Sequence, residues 1–322
     1  MERKCIFFQR GVLSGKKQYA YVIMAEAIKT KKLSMCFEPR FLHIKKMDHL
    51  HREICKKNWS LARLFYRTYL PHNISLNKKY IFLFNEAHPS LFNLGFLDWI
   101  KKKYDVKTVL VLRNMIKNKK YPMIMEVELE KLKEVFDLII TTEENDSKLY
   151  GLVFLPNPFS MFYFKNMAKK YDICFTGENK GRIKLLTEIA TKAKEKNIKY
   201  SIKIVDKERK NSPLDYVDYV PYYNILKQDI QSNCILEVLQ PGQSSNTLRM
   251  EEAICLGKKL LTNNKMIKNE KYYNPKYMQI FEKVEDIDWE FVKEEIVVDY
   301  MYKGEYSPLV FLENIEAKLN NR

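Results

Sequence analysis

The chain lacks any long apolar run. Across 322 residues no stretch approaches the ~18 consecutive apolar residues that a membrane-crossing helix requires, so a spanning helix is not expected. Cysteine is sparse and scattered: Cys5, Cys36, Cys55, Cys174, Cys234 and Cys255 show no C-x-x-C spacing. That argues against a zinc site or a disulfide framework, and for a reducing, cytoplasmic setting. Cys5, Cys174 and Cys234 sit in apolar runs, where buried free thiols are common. The opening MERKCIFFQRGVLSG has no long apolar segment and no small-residue cleavage site, so it does not read as a secretory signal. Glycines nowhere form G-x-G-x-x-G, and Gly15-Lys16 lacks the remainder of a G-x-x-x-x-G-K-[S/T] phosphate loop. No helix-turn-helix, RNA-recognition aromatic signature or zinc-finger spacing is present, which disfavours a nucleic-acid partner. His43, His49, His51 and His72 have no neighbours that would complete a metal-ligand set. Internal repeats and long low-complexity tracts are also missing.

What the chain does have is material for two cores. Its length suits two domains of roughly 150 residues each, and 46% hydrophobic and 13% aromatic residues are ample for both. The net charge of +16 has two readings. Lysine is spread over nearly every segment, as compositional bias would give. Clusters at Lys101–Lys103 and Lys117–Lys120 would instead suit peripheral contact with an anionic membrane. Strand-like and helix-like segments alternate. CIFF, YIFLFN (80–85), VKTVLVLRN (106–114), DLIITTE (137–143), YDICFTG (171–177), IKYSIKIVD (198–206), CILEVLQ and KKLLTN read as strands. Helical spacing runs through Lys16 to Lys31, Asp48 to Tyr69, SLFNLGFLDWIKKKY, VELEKLKEVF, GRIKLLTEIATKAKEKN, YNILKQDIQSN and TLRMEEAICLG. Such alternation implies α/β domains with parallel sheets covered by helices. Pro156, Pro158 and an irregular aromatic stretch break both periodicities, placing the boundary between Leu155 and Tyr171. The expected division is 1–160, 161–305, and a C-terminal helix over 306–322.

The segment from Glu237 to Asn264, EVLQPGQSSNTLRMEEAICLGKKLLTNN, carries the chemistry. An apolar run ends at Pro241-Gly242, a polar patch follows (Gln243, Ser244, Ser245, Asn246, Thr247), and a helical pattern then runs to Gly257. In a strand–loop–helix unit the loop at the strand's carboxyl end binds ligands. Amides at a helix start are unpaired and positively polarised, which suits phosphate. Arg249 in the first turn adds charge-assisted hydrogen bonds, and Glu252 can accept from ribose hydroxyls. Together they can hold a nucleoside diphosphate.

The string Glu252-Ala253-Ile254-Cys255-Leu256-Gly257-Lys258-Lys259-Leu260-Leu261 resembles the donor-binding helix of GT-B glycosyltransferases, and the flanking EVLQPGQSSNTLR is similar to a bacterial branch acting in capsule and lipopolysaccharide assembly. The resemblance implies two Rossmann-like domains facing a central cleft, with the C-terminal helix returning to the first. It implies a nucleotide-sugar donor as substrate, no cofactor, and a glycan or lipid-linked acceptor at the inner membrane face. Retaining members often place a Glu eight positions before the acidic residue. Ser244 stands there, so the glutamate pair is incomplete. In FTGENKGRIKLL, the resemblance makes Gly177, Lys180 and Arg182 phosphate-contact candidates, against the alternative of a solvated turn. Tyr219, Tyr222 and Tyr223 are candidates for stacking on the base. The resemblance also implies metal-independent chemistry, in which a helix dipole and cations stabilise the leaving diphosphate. No Asp-x-Asp spacing is read as a metal site.

An acceptor hydroxyl must be deprotonated as the diphosphate leaves, usually by an Asp, Glu or His of the first domain. The loop after YIFLFN carries Glu86 and His88. His88 titrates in the useful range, and Glu86 would orient it or serve instead. The competing reading is that both cap the next helix. Arg10, Lys16 and Arg113 are candidate acceptor or phosphate contacts. Two rivals share the donor unit: a non-catalytic nucleotide- or polymer-binding module, and a nucleotide-sugar epimerase of the same architecture.

Overall fold

The computed structural model describes residues 3–9, 19–37, 49–50, 64, 66–86, 94–116, 126–162, 167–206, 213–243 and 247–321. The chain divides into two compact units: Met1–Pro158 together with Pro308–Arg322, and Phe159–Ser307.

The first unit holds β1 (Lys4–Gln9), α1 (Tyr19–Ile23), α2 (Ala25–Lys29), β2 (Leu33–Phe37), β3 (Tyr80–Asn85), α3 (Leu94–Lys103), β4 (Val106–Leu112), α4 (Glu126–Val135), β5 (Leu138–Thr141), α5 (Glu144–Tyr150) and β6 (Val153–Phe154). Its strands form one parallel sheet in the order β2-β1-β3-β4-β5-β6. Central strands are buried on both faces, hence the apolar runs YIFLF and VLVL. Phe8 stacks on Phe84 at 4.8 Å, and Phe96 meets Tyr66 and Tyr69 edge-on. The C-terminal helix, Pro308–Asn320, packs on α2, and Arg3 Nη1 donates to Asn320 Oδ1 at 3.0 Å.

The second unit holds β7 (Tyr171–Glu178), α6 (Ile183–Glu195), β8 (Tyr200–Val205), β9 (Asp215–Val217), α7 (Tyr222–Ile230), β10 (Ser232–Glu237), α8 (Leu248–Leu256), β11 (Lys259–Thr262), β12 (Met278–Ile280) and α9 (Trp289–Lys293); the C-terminal helix is α10. Its parallel sheet runs β12-β11-β10-β7-β8-β9. Both units are therefore α/β sheets of Rossmann-like type. Chain direction across the sheet reverses between β7 and β10 here, and between β1 and β3 in the first unit. Such switch points open a crevice outside the carboxyl ends of the strands.

Several elements differ from expectation. The helical spacing over Lys16 to Lys31 yields two short helices with a break at Met24. Leu33–Phe37 is a strand, a half-buried edge position with no apolar run to announce it. The edge strands β9 and β12 are three residues each, too short for a periodic signature. Most of the stretch from Asp48 to Tyr69 lies outside the described residues. Gly257 ends α8 in the left-handed region (φ 59°), and a Cβ there would stand 3.0 Å from the Val298 carbonyl. The five described cysteines are free thiols, and Cys5, Cys174, Cys234 and Cys255 are buried.

Candidate functional site

Two loops leave the second sheet at its switch point, one after β7 and one after β10. Glycine at the first lets two arginine side chains approach the backbone closely. A Cβ on Gly177 would lie 2.9 Å from Arg249 Nη2 and 3.3 Å from Arg182 Nη2. The two guanidiniums also share the Phe175 ring, with Cζ 4.4 Å (Arg249) and 5.1 Å (Arg182) from its centroid. Flat, weakly hydrated guanidinium suits such a ring face. The strand end Phe175-Thr176-Gly177 thus gathers two positive charges from separate segments.

The two arginines differ in what they hold. Arg182 is buried; Nη1 donates to the Val238 carbonyl at 2.9 Å, Nη2 to that of Glu178, and Nε to that of Asn179 at 3.3 Å. It ties the loop after β7 to the chain leaving β10. Arg249 is half-buried, and its Nη2 donates to the Thr176 carbonyl. Lys180 lies in the left-handed region (φ 42°), followed by Gly181 (φ 82°), and its Nζ is 3.6 Å from Glu178.

The start of α8 is fixed by a buried carboxylate that the sequence reading missed. Glu237, at the end of β10, is fully buried. Its Oε1 accepts from Thr247 N at 3.0 Å and Thr247 Oγ1 at 2.6 Å; Oε2 accepts from Thr262 Oγ1 at 2.5 Å. Thr247 in turn caps α8, its hydroxyl accepting from Arg249 N at 3.2 Å. That first-turn amide is consequently taken, contrary to the expectation of open amides. Gln243 N donates to the Gln240 carbonyl at 3.0 Å, closing a turn over Pro241-Gly242 that leads into the polar patch. Ser244, Ser245 and Asn246 lie outside the described residues.

Glu252 also departs from expectation. Its carboxyl is buried, with Oε1 accepting from the Tyr222 hydroxyl at 2.5 Å, so one of its two oxygens is already engaged. Burial raises its pKa from the ordinary 4.5 to about 8; the Asp229 carboxylate adds to the rise, and Arg249 opposes it. Asp229 is itself buried and raised to about 6, first by desolvation. Tyr219 and Tyr223 are exposed, and Lys227 Nζ sits 4.9 Å over the Tyr223 ring.

Native Glu252 keeps a proton that the unfolded chain releases near pH 4.5. Stability due to this group therefore falls as pH rises from about 4.5 to about 8. Glu252→Gln has no such proton to lose. Calorimetry at pH 5 and pH 8 is expected to show the parent losing several degrees of Tm relative to Glu252→Gln across that interval. Parallel pH profiles for the two proteins would refute the assignment.

In the first unit the carboxyl ends of β1, β3 and β4 bring together Gln9, Asn85, Glu86 and Arg113. Glu86 is buried; Oε2 accepts from Arg113 N at 3.3 Å and Oε1 from the Asn114 amide at 2.5 Å. Through these two bonds it holds the loop after β4. Arg113 lies between the rings of Phe7 (5.5 Å) and Tyr19 (5.4 Å). His88, Arg10 and Lys16 lie outside the described residues. Among the described residues no three His, Cys, Asp or Glu side chains gather as a metal set. The sequence does contain one Asp-x-Asp spacing, Asp286 to Asp288, and both carboxylates are local caps. Asp286 accepts from Lys283 N, and Asp288 from Glu290 N and Phe291 N, each near 3 Å. No helix among the described residues is long and apolar enough to cross a membrane.

No protein-family model and no curated protein sequence matches the chain. Among solved structures it is similar to UDP-GlcNAc 2-epimerase from Neisseria meningitidis (TM-score 0.49, 10% identity, 98% of this chain and 100% of that one). A second is an α,α-trehalose-phosphate synthase (UDP-forming) from Burkholderia vietnamiensis (TM-score 0.49, 8% identity, 99% and 95%). A third is the spinosyn forosaminyltransferase SpnP (TM-score 0.43, 8% identity, 99% and 100%).

Proposed function

We propose that the chain is a metal-independent glycosyltransferase of GT-B type. It moves a sugar from a nucleotide-sugar donor to a surface-polysaccharide or lipid-linked glycan acceptor. One observation carries the reading: the half-buried Arg249 guanidinium stands at the switch point of the second sheet, against Gly177 and beside the first turn of α8. A cation on a ring face next to a helix N-terminus suits the diphosphate of a nucleotide and the charge that develops as it leaves. The resemblance through Glu252 to Leu261 supplies the reaction class. Arg182 and Glu237 keep the two loops in place, and His88 is assigned as the base, with Glu86 holding the loop after β4. The acceptor's place in capsule or lipopolysaccharide assembly, and work at the inner membrane face, follow from the same resemblance.

The test is incubation with UDP-, GDP-, dTDP- and CMP-sugars, with and without lipid-linked acceptors, following nucleotide release. Release that requires acceptor is the expected result. Binding without turnover would identify a binding module. Acceptor-independent conversion of the sugar would identify an epimerase.

A further inference from the structure

The first unit contains a second constellation that its own hydrogen bonds leave incomplete. Phe7, Gln9, Leu83, Asn85, Val111 and Arg113 share one sheet face, since parallel neighbours in register alternate together. At the carboxyl edge of that face the Asn85 amide donates to Gln9 Oε1 at 2.7 Å. This leaves Gln9 Nε2 as the free donor end of the amide, buried with no acceptor among the described residues. Gln9 is only 5% exposed. Arg113 Nε is likewise buried and unpartnered. The guanidinium is held between Phe7 and Tyr19 and forms no ion pair among the described residues. The nearby carboxylate, Glu86, is engaged by Arg113 N and Asn114.

Buried donors without acceptors are costly, so two of them, one belonging to a cation with no ion pair among the described residues, mark where an acceptor group belongs. These donors stand at the β1/β3 switch point, where doubly wound sheets take their ligands. We infer that Gln9 and Arg113 form an oxyanion site that takes a carboxylate or phosphate group. The guanidinium fork supplies charge and paired donors, and Gln9 Nε2 adds a neutral third. Assigning the group to the glycan acceptor rests on the transferase reading; oxyanion binding itself does not.

The experiment uses the full chain labelled with 15N-arginine. The Arg113 Nε–H signal is identified by its loss in Arg113→Lys and followed during titration with potassium phosphate or potassium acetate. Ionic strength is held constant with potassium chloride. A saturable shift below about 50 mM is expected, weakened at least about fivefold in Gln9→Leu through loss of one donor. Tighter phosphate assigns a phosphate-bearing group, and tighter acetate a carboxylate-bearing one. No saturation with either salt, or the same shift from chloride alone, overturns the site. Titrating UDP in the same sample and reading Arg249 Nε–H tests the donor reading separately. Saturation at Arg113 with no response at Arg249 would keep this site and sink the transferase proposal.

Discussion

Glu237→Ala is expected to cost about 3 kcal/mol or more, since each buried donor left without its acceptor costs about 1–3 kcal/mol. The carboxylate receives three hydrogen bonds, two from Thr247 and one from Thr262. It is fully buried between the loop after β10 and the end of β11. Truncation orphans the Thr247 amide and both hydroxyls and leaves a cavity at the base of α8. For a unit of about 150 residues that corresponds to a fall in Tm on the order of 10 °C. Glu237→Gln is milder, at about 1–2 kcal/mol. One amide oxygen still serves Thr247, and the Thr262 hydroxyl can reverse to accept from the amide nitrogen. Calorimetry on the two variants decides. A Glu237→Ala protein that melts with the parent would remove Glu237 from its place as the anchor of the loop. Arg249 rides on the helix that Thr247 caps, so weakened nucleotide binding should accompany the lost stability.

Much of the fold was legible because buried parallel strands write themselves as apolar runs. CIFF, YIFLFN, VKTVLVL and YDICFTG each became a central strand. Among the strands that escaped notice are β2, β9 and β12, whose burial at the sheet edges is partial or brief. The candidate site was legible as a loop and less so as a set of roles. Arg182 and Arg249 look alike in sequence, both polar-loop arginines near a helix start. Only the fold shows that one is occupied by the carbonyls of Glu178, Asn179 and Val238. Glu237 and Asp229 were missed because an acid near a strand or helix end ordinarily reads as solvated. Nothing local to CILEVLQ says that Thr247, ten residues on, will fold back over the carboxylate. For Glu252 the motif gives an acceptor but not its neighbour: Tyr222, thirty residues earlier, already engages one of its oxygens.

Binding and chemistry should separate between Arg249 and His88. Arg249→Ala removes a guanidinium that is already half desolvated against Phe175, and a diphosphate arriving there would lose its strongest donors. Loss of one partner from a desolvated charge pair costs about 2–5 kcal/mol, so nucleotide affinity should fall at least about 30-fold. Turnover should fall further, because charge on the leaving diphosphate grows towards the transition state. Arg249→Lys is expected to recover only part of this, since an ammonium cannot lie flat on the ring while donating to Thr176. His88→Ala should behave differently, with donor affinity within about twofold of the parent and acceptor-dependent turnover reduced about 100-fold or more. Calorimetric titration with the nucleotide and rate measurements at saturating donor distinguish the two patterns. Unchanged nucleotide affinity in Arg249→Ala would remove the second unit's switch point as the donor site. Unchanged turnover in His88→Ala would leave the donor site standing and send the search for the base elsewhere in the first unit.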